Sequence, residues 1–500
     1  MPSMSFGPSA KKQDEAVIVV DTFSTGAMLC DLLYSKGFKV IRVLSGDLQD
    51  LLDMVPDGLN FSFEASFMLN VDIESDVAVN EIIKGVRALG FPVIAVLAGA
   101  ETGVELADQL SERMGLTTNG TALSEARRNK YVMGETIRAA GVRAVKQLRA
   151  INWGEIDAWI KEWNPSPFKV IVKPMDSAGS DDVTLCQSHK EVQDAFGNIM
   201  GKINGLGLVN KAVLVQEYLE GQEYVVDMVS SEGVHKVAAI WAYDRRPANG
   251  AHFVCHGQRL LTIDDPLCAE LVAYMKKVVT ALGIRYVYTW NILSLTLWCG
   301  MMRYDGGSRH TRNRQVSHMY VFCFYHICLT IDTQYVYDSN GPTHGEVKWF
   351  KDEPVLVEVG ARCHGAEGSW VEVTNSCLGY NQAECAIDSY LDTDAFELMS
   401  PAPSQRFSYG RVLFICVNSS GTLGSIDPAY TEEIMAMSSI VHLEYFLKIG
   451  QAFNPTIDCF GFGGLVKLVN KDLKQLTTDY ERIRAMELVT ADGRAWFQGK

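Results

Sequence analysis

The stretch from Gly345 to Arg362 holds the residues best placed to do chemistry. Two strand-like runs flank Lys351-Asp352-Glu353. A hairpin with that three-residue loop pairs Phe350 with Pro354, Lys348 with Leu356 and Glu346 with Glu358. Two carboxylates then face each other, which is unfavourable by up to about 1 kcal/mol unless one is protonated or a cation lies between them. A hard divalent ion such as Mg²⁺ resolves the conflict most simply, because it takes one or two carboxylates and completes its shell with phosphate oxygens and water. Period two also places Glu358, Gly360 and Arg362 on one face, so a guanidinium stands beyond the acids. Such a face suits phosphate transfer; the competing reading is an edge hairpin with solvated acids.

Lys173 ends the apolar run Val170-Ile171-Val172, and the small residues after it form a loop whose amides could close over phosphates. The GxxxxGK[ST] loop is absent, and no GxGxxG follows the first strand. Lys130 stands on the polar flank of a helix expected over residues 121–140. In Gln216-Glu217-Tyr218-Leu219, a buried strand runs into a polar turn able to offer backbone groups to a purine edge. Glu223, a few residues later, can accept ribose hydroxyls.

These pieces need a frame. Residues 17–20, 39–44 and 91–97 read as strands, alternating with helical patterns at 28–36, 76–89 and 102–114, three of which stop at Gly37, Gly90 and Gly115. That order implies a doubly wound parallel sheet. Strands follow at 168–173, 212–218 and 223–230 with a helix near 190–203; the tail has strands at 410–417 and 465–469 and a helix over 471–486. Residues 287–340 show no clean period and crowd Cys323, His326 and Cys328 together. They read as an inserted partner- or metal-binding arm, as a long loop peculiar to this chain, or as translated non-coding sequence.

Five hundred residues at −15 formal charge argue against binding nucleic acid or an anionic membrane surface. The longest apolar candidate, 319–331, is too short to span a bilayer. The first fifteen residues lack an apolar h-region, and twelve cysteines without a CxxC pair fit reduced thiols, so the expected compartment is the cytoplasm.

A helix Lys, a strand Lys with a small-residue loop, the Gln-Glu-Tyr-Leu hinge, then two acids and an Arg on paired strands resemble the ATP-grasp superfamily. Glu358-Val-Gly-Ala-Arg-Cys-His-Gly-Ala-Glu367 looks like the signature of its L-amino-acid ligase-like, carboxylate–amine ligase branch. The resemblance implies an N-terminal doubly wound parallel α/β domain (1–120), followed by an ATP-grasp domain (121–400) and a C-terminal α+β lid subdomain (401–500). Within the ATP-grasp domain, residues 168–230 would cover the nucleotide, and 287–340 is atypical.

It further implies that Lys130 and Lys173 contact ATP phosphates, and that Ser177, Ala178, Gly179, Ser180 and Asp181 cover them. Glu217, Tyr218 and Leu219 would read adenine, and Glu223 would hold ribose. Glu346 and Glu358 would bind Mg²⁺, with Mn²⁺ as a substitute, and Arg362 would be the catalytic cation. Gly360 stands where the family usually has Asn, which puts a second metal in doubt. The implied activity is amide formation from an amino acid or small carboxylic acid and an amine, through an acyl phosphate with release of ADP. The implied partners are small molecules, with no nucleic acid and no membrane, and a homodimer is allowed. The alternatives are a carboxylase-type relative and a nucleotide-binding protein without turnover.

Overall fold

The computed structural model describes residues 14–52, 54–56, 58–175, 182–204, 209–284, 291–300, 324–332, 340–487 and 496–499. Four parallel strands open it: β1 (Ala16–Val20), β2 (Lys39–Leu44), β3 (Ala65–Met68) and β4 (Val93–Ala98), in the order β3-β2-β1-β4. All five residues of β1 are buried, as a continuous apolar run requires when both faces are covered. The helix Thr25–Ser35 lays Leu29 and Leu33 against Val17 and Val19. The helices Ser75–Ala88 and Val104–Met114 meet Ile18 and Val20 from the other side. The sheet is therefore doubly wound, as its alternating sequence implied.

The helix expected over 121–140 is shorter. Asn129 adopts an extended conformation and its side-chain oxygen accepts from the amides of Tyr131 and Val132, so the helix begins at Lys130 and runs Lys130–Ala139. Residues 121–129 are turns and a 3₁₀ turn. Next comes a four-stranded antiparallel sheet in the order β5-β8-β6-β7: β5 (Gln147–Ala150), β6 (Val170–Pro174), β7 (Thr184–Cys186) and β8 (Val213–Glu217). The helices Trp153–Trp163 and His189–Ile199 pack on it through Ile156, Ile160, Val192 and Ile199.

The largest layer is an eight-stranded antiparallel sheet. Its strands include β9 (Glu223–Ser231), β10 (Val234–Ala248) and β11 (Ala251–Leu261). The chain then forms a separate compact unit, residues 286–337, in which β12 (Asn291–Gly300) pairs antiparallel with β13 (Phe324–Asp332). Strands were not expected there, yet Leu293, Leu295 and Leu297 alternate with Ser294 and Thr296 in the sequence, a period-two signal. Cys323 lies outside the described residues.

The large sheet resumes with β14 (Gly341–Phe350), β15 (Glu353–Gly360) and β16 (Tyr409–Ile415). After β17 (Gly421–Ile426) come β18 (Ile440–Tyr445), β19 (Ala452–Phe453), β20 (Gly464–Asn470) and β21 (Phe497–Gly499). Its order is β15-β14-β9-β10-β11-β16-β20-β18, so strands from the last hundred residues continue the sheet that carries the acidic hairpin. β17 pairs instead with β19 and β21. The helix Cys268–Ala281 covers one face of the sheet and Val371–Leu378 and Gln382–Leu391 the other, around Trp241. Among the described residues no helix is long and apolar enough to cross a membrane, and the nine cysteines outside β12 and β13 are unpaired thiols.

Candidate active site

Glu346 and Glu358 do face each other across β14 and β15. The route to that pairing differs from the one expected. The loop has two residues, Lys351 and Asp352, both at positive φ (50° and 63°), so Phe350 pairs with Glu353, Trp349 with Pro354 and Lys348 with Val355. A one-residue bulge at Val357 then shifts the register, restoring Glu346 opposite Glu358. On the other side of β14, Lys348 stands opposite Glu223 and His344 opposite Asp227 on β9. Opposed charges across the strands thus compensate what the two like charges cost.

Lys130, Lys173, Glu217, Tyr218, Leu219, Glu223, Glu346 and Glu358 all line one cavity of about 140 Å³. Its apolar wall is built from Val145, Ile171, Leu219 and Leu356. Lys130 reaches it from the first turn of its helix, with Nζ 3.1 Å from Glu358 Oε2. Lys173, at the end of β6, is buried. Burial and the neighbouring Lys130 push its ammonium down to about 8, against the opposing pull of Glu358, Glu346 and Glu223. Glu217 is held by Arg143 (Nη2 to Oε1, 2.5 Å) and by the Lys146 amide (3.2 Å). Residues 177–181, expected as a cover, lie outside the described residues.

Two cations of this cavity escaped the sequence reading. Arg245, on β10, donates from Nε to Glu223 Oε1 (2.9 Å) and stands 3.9 Å from Glu346 Oε2. Lys348 Nζ is 3.6 Å from Glu223 Oε2. Glu223 is buried, and burial would raise its pKa, but Arg245 and Lys348 more than offset this and hold it below the usual range. Lys348 had a readable signal, since period two from Glu346 puts it on the same face. Arg245 had none, because its place depends on a long hairpin whose register shifts beside it.

Arg362 lines a second cavity, of about 300 Å³, which shares Arg245, Phe253, Glu346 and Glu358 with the first. Its Nε lies 3.0 Å from Glu101 Oε2, on the segment after β4. Gly360 is what permits this: a Cβ there would come within 2.6 Å of Glu101 Oε2. The position of Gly360 is thus overlain by an ion pair.

Cys363 and His364 also line this cavity. Burial holds the Cys363 thiol far above its ordinary value, which makes it a poor nucleophile. His364 belongs to a buried cluster that the sequence did not reveal. Asp227 accepts from Nδ1 of His344 (2.8 Å), Nδ1 of His364 (2.9 Å) and Nε1 of Trp241 (2.9 Å). Burial lowers the His344 pKa, but its contacts with Asp227 and Glu346 outweigh that and bring it to about 9.

Residues 166–288 match the ATP-grasp domain family. The chain carries an ATP-grasp domain. The likeness extends beyond that domain: dapdiamide A synthase of Enterobacter agglomerans is 24% identical over 479 residues, covering 95% of this chain and 96% of that protein. The fold is that of the L-amino acid ligase from Bacillus licheniformis (TM-score 0.65, 15% identity, 95% of this chain and 98% of that one). Phosphoribosylglycinamide synthetase from Anaerococcus prevotii shares it too (TM-score 0.57, 12% identity, 94% and 98%). The matched residues include Lys173, Glu217, Tyr218, Leu219, Glu223 and Arg245 of the first cavity.

Proposed function

We propose that the protein is an ATP-dependent carboxylate–amine ligase that forms an amide and releases ADP and phosphate, acting on an amino acid or similar small acid. The observation that carries this reading is the convergence of Lys130, Lys173, Glu223, Glu346 and Glu358 on one cavity that shares the two metal-site acids, Glu346 and Glu358, with a second containing Arg362. Likeness over nearly the whole chain to a dapdiamide A synthase and an L-amino acid ligase supports it.

In this reading the adenine lies against Leu219 and the apolar wall, with the Glu217–Leu219 backbone at its edge. Glu223 faces the ribose, and the phosphates extend toward Lys130 and Lys173. Glu346 and Glu358 suit Mg²⁺, being hard oxygen donors side by side with cations close by; the ion would neutralise charge on the ATP phosphates. The acid's carboxylate oxygen attacks the γ-phosphorus and ADP leaves. The amine nitrogen then attacks the acyl carbon, phosphate leaves, and the nitrogen loses its proton. Arg362 steadies the charge on the transferred group and on the tetrahedral intermediate. The chain contributes position and charge, effects worth several kcal/mol per well-placed group, and needs no covalent nucleophile.

ADP release measured with panels of acids and amines, with the amide identified by mass, tests this. Turnover that needs both an acid and an amine supports the ligase. Stimulation by bicarbonate instead would make it a carboxylase-type enzyme, and nucleotide binding without turnover would make it a binder.

A further inference from the structure

The second cavity has unlike ends, and this inference rests on the ligase reading. One end carries Glu346, Glu358 and Arg362. The other is built from phenylalanines far apart in the chain: Phe23 after β1, Phe414 on β16, Phe446 after β18, and Phe460 and Phe462 before β20. Phe414 and Phe462 stack with centroids 5.0 Å apart and are nearly buried, which fixes that wall. Phe460 is 48% exposed although it lines the cavity, so an apolar occupant would cover surface that water now touches.

Charge points the same way. Among the described residues lining this cavity the Lys and Arg side chains are Arg245 and Arg362, both near the acids, and Arg245 is engaged by Glu223. The aromatic end carries Asp458 beside Phe460 and no Lys or Arg among its described lining. A sugar phosphate or an acidic side chain would meet a carboxylate there without a compensating cation, at a desolvation cost.

We propose that this cavity takes an amino-acid substrate with an aromatic or long aliphatic side chain, its reacting end at Glu346, Glu358 and Arg362 and its side chain among the phenylalanines. Apolar pockets discriminate by roughly 10- to 200-fold per methylene, so phenylalanine or leucine should exceed alanine by at least about tenfold in kcat/KM.

Two measurements test this on the full chain. Thermal stability is read with a non-hydrolysable ATP analogue plus phenylalanine, leucine, alanine, aspartate or ribose 5-phosphate. ADP release is read with the same compounds paired with an amine and with an acid. The proposal expects phenylalanine and leucine to give the largest thermal shift and the highest turnover. It expects Phe460→Lys to raise their KM at least about tenfold with nucleotide affinity unchanged, and Phe460→Leu to restore it; Phe460 is exposed enough that neither change endangers folding. If alanine, aspartate or ribose 5-phosphate serves as well or better, or Phe460→Lys leaves KM unchanged, the assignment is wrong while the ligase reading stands. If phenylalanine and leucine shift the melting temperature but no pair releases ADP, the assignment stands and the ligase reading falls.

Discussion

Placing a single methyl group on Gly360 tests the catalytic geometry most sharply. A Cβ there lies 2.6 Å from Glu101 Oε2, 3.0 Å from Arg362 Cζ and 3.2 Å from Arg362 Nε, whereas ordinary contact begins at 3.4 Å. The carboxylate must therefore retreat by about 0.8 Å and the guanidinium by about 0.4 Å, and misplacement on the order of 1 Å near the reacting groups can cost about a hundredfold. Gly360→Ala should lower kcat by roughly 10- to 100-fold and leave ADP affinity within about twofold, because the displaced groups belong to the second cavity. Overpacking should cost about 1–3 kcal/mol of stability. Steady-state kinetics and ADP titration, alongside Gly197→Ala in a helix where the added carbon meets nothing within 4 Å, provide the comparison. A Gly360→Ala enzyme with parental kcat would show that the placement of Arg362 does not limit the reaction.

Arg245→Met should cost about 3–5 kcal/mol in chemical denaturation by leaving Glu223 buried without its main partner, and Glu223→Leu in the same chain should recover part of it. The raised His344 pKa means its proton stabilises the fold fully below about 6.5 and ceases to do so as pH rises through about 9. Stability of the metal- and nucleotide-free protein should therefore fall by about 1 kcal/mol between pH 7 and 8 from this group, a decline that Asp227→Asn should remove. Lys173, depressed to about 8, should be mostly neutral at pH 8.5 and recharge beside bound phosphate. Calorimetry of ADP binding in buffers of different ionisation enthalpy should then register proton uptake that is absent from Lys173→Arg.

Much of the first cavity was legible because it rests on local pattern: apolar runs ending in Lys173 and Glu217, and acids that period two sets on one face. The hairpin register shows how far such reasoning reaches. A three-residue loop without a bulge and a two-residue loop with one both put Glu346 opposite Glu358, so the sequence led to the right pair by a route the backbone does not take. The 3₁₀ segment before Lys130 stayed hidden because the Asn129 cap lies inside a continuous helical pattern.

The sequence by itself determined β1, β2, β4, β6, β8, β9, β16 and β20, the parallel N-terminal sheet and the facing acids of the hairpin, since each follows from the spacing of neighbours along the chain. Tertiary structure alone decided that Arg245 meets Glu223, that Glu101 pairs with Arg362 over Gly360, and that Asp227 gathers two histidines from β14 and the segment after β15. Those contacts join residues tens to hundreds of positions apart. Their strength comes from shared burial in a low-dielectric interior, a property that no run of adjacent residues encodes.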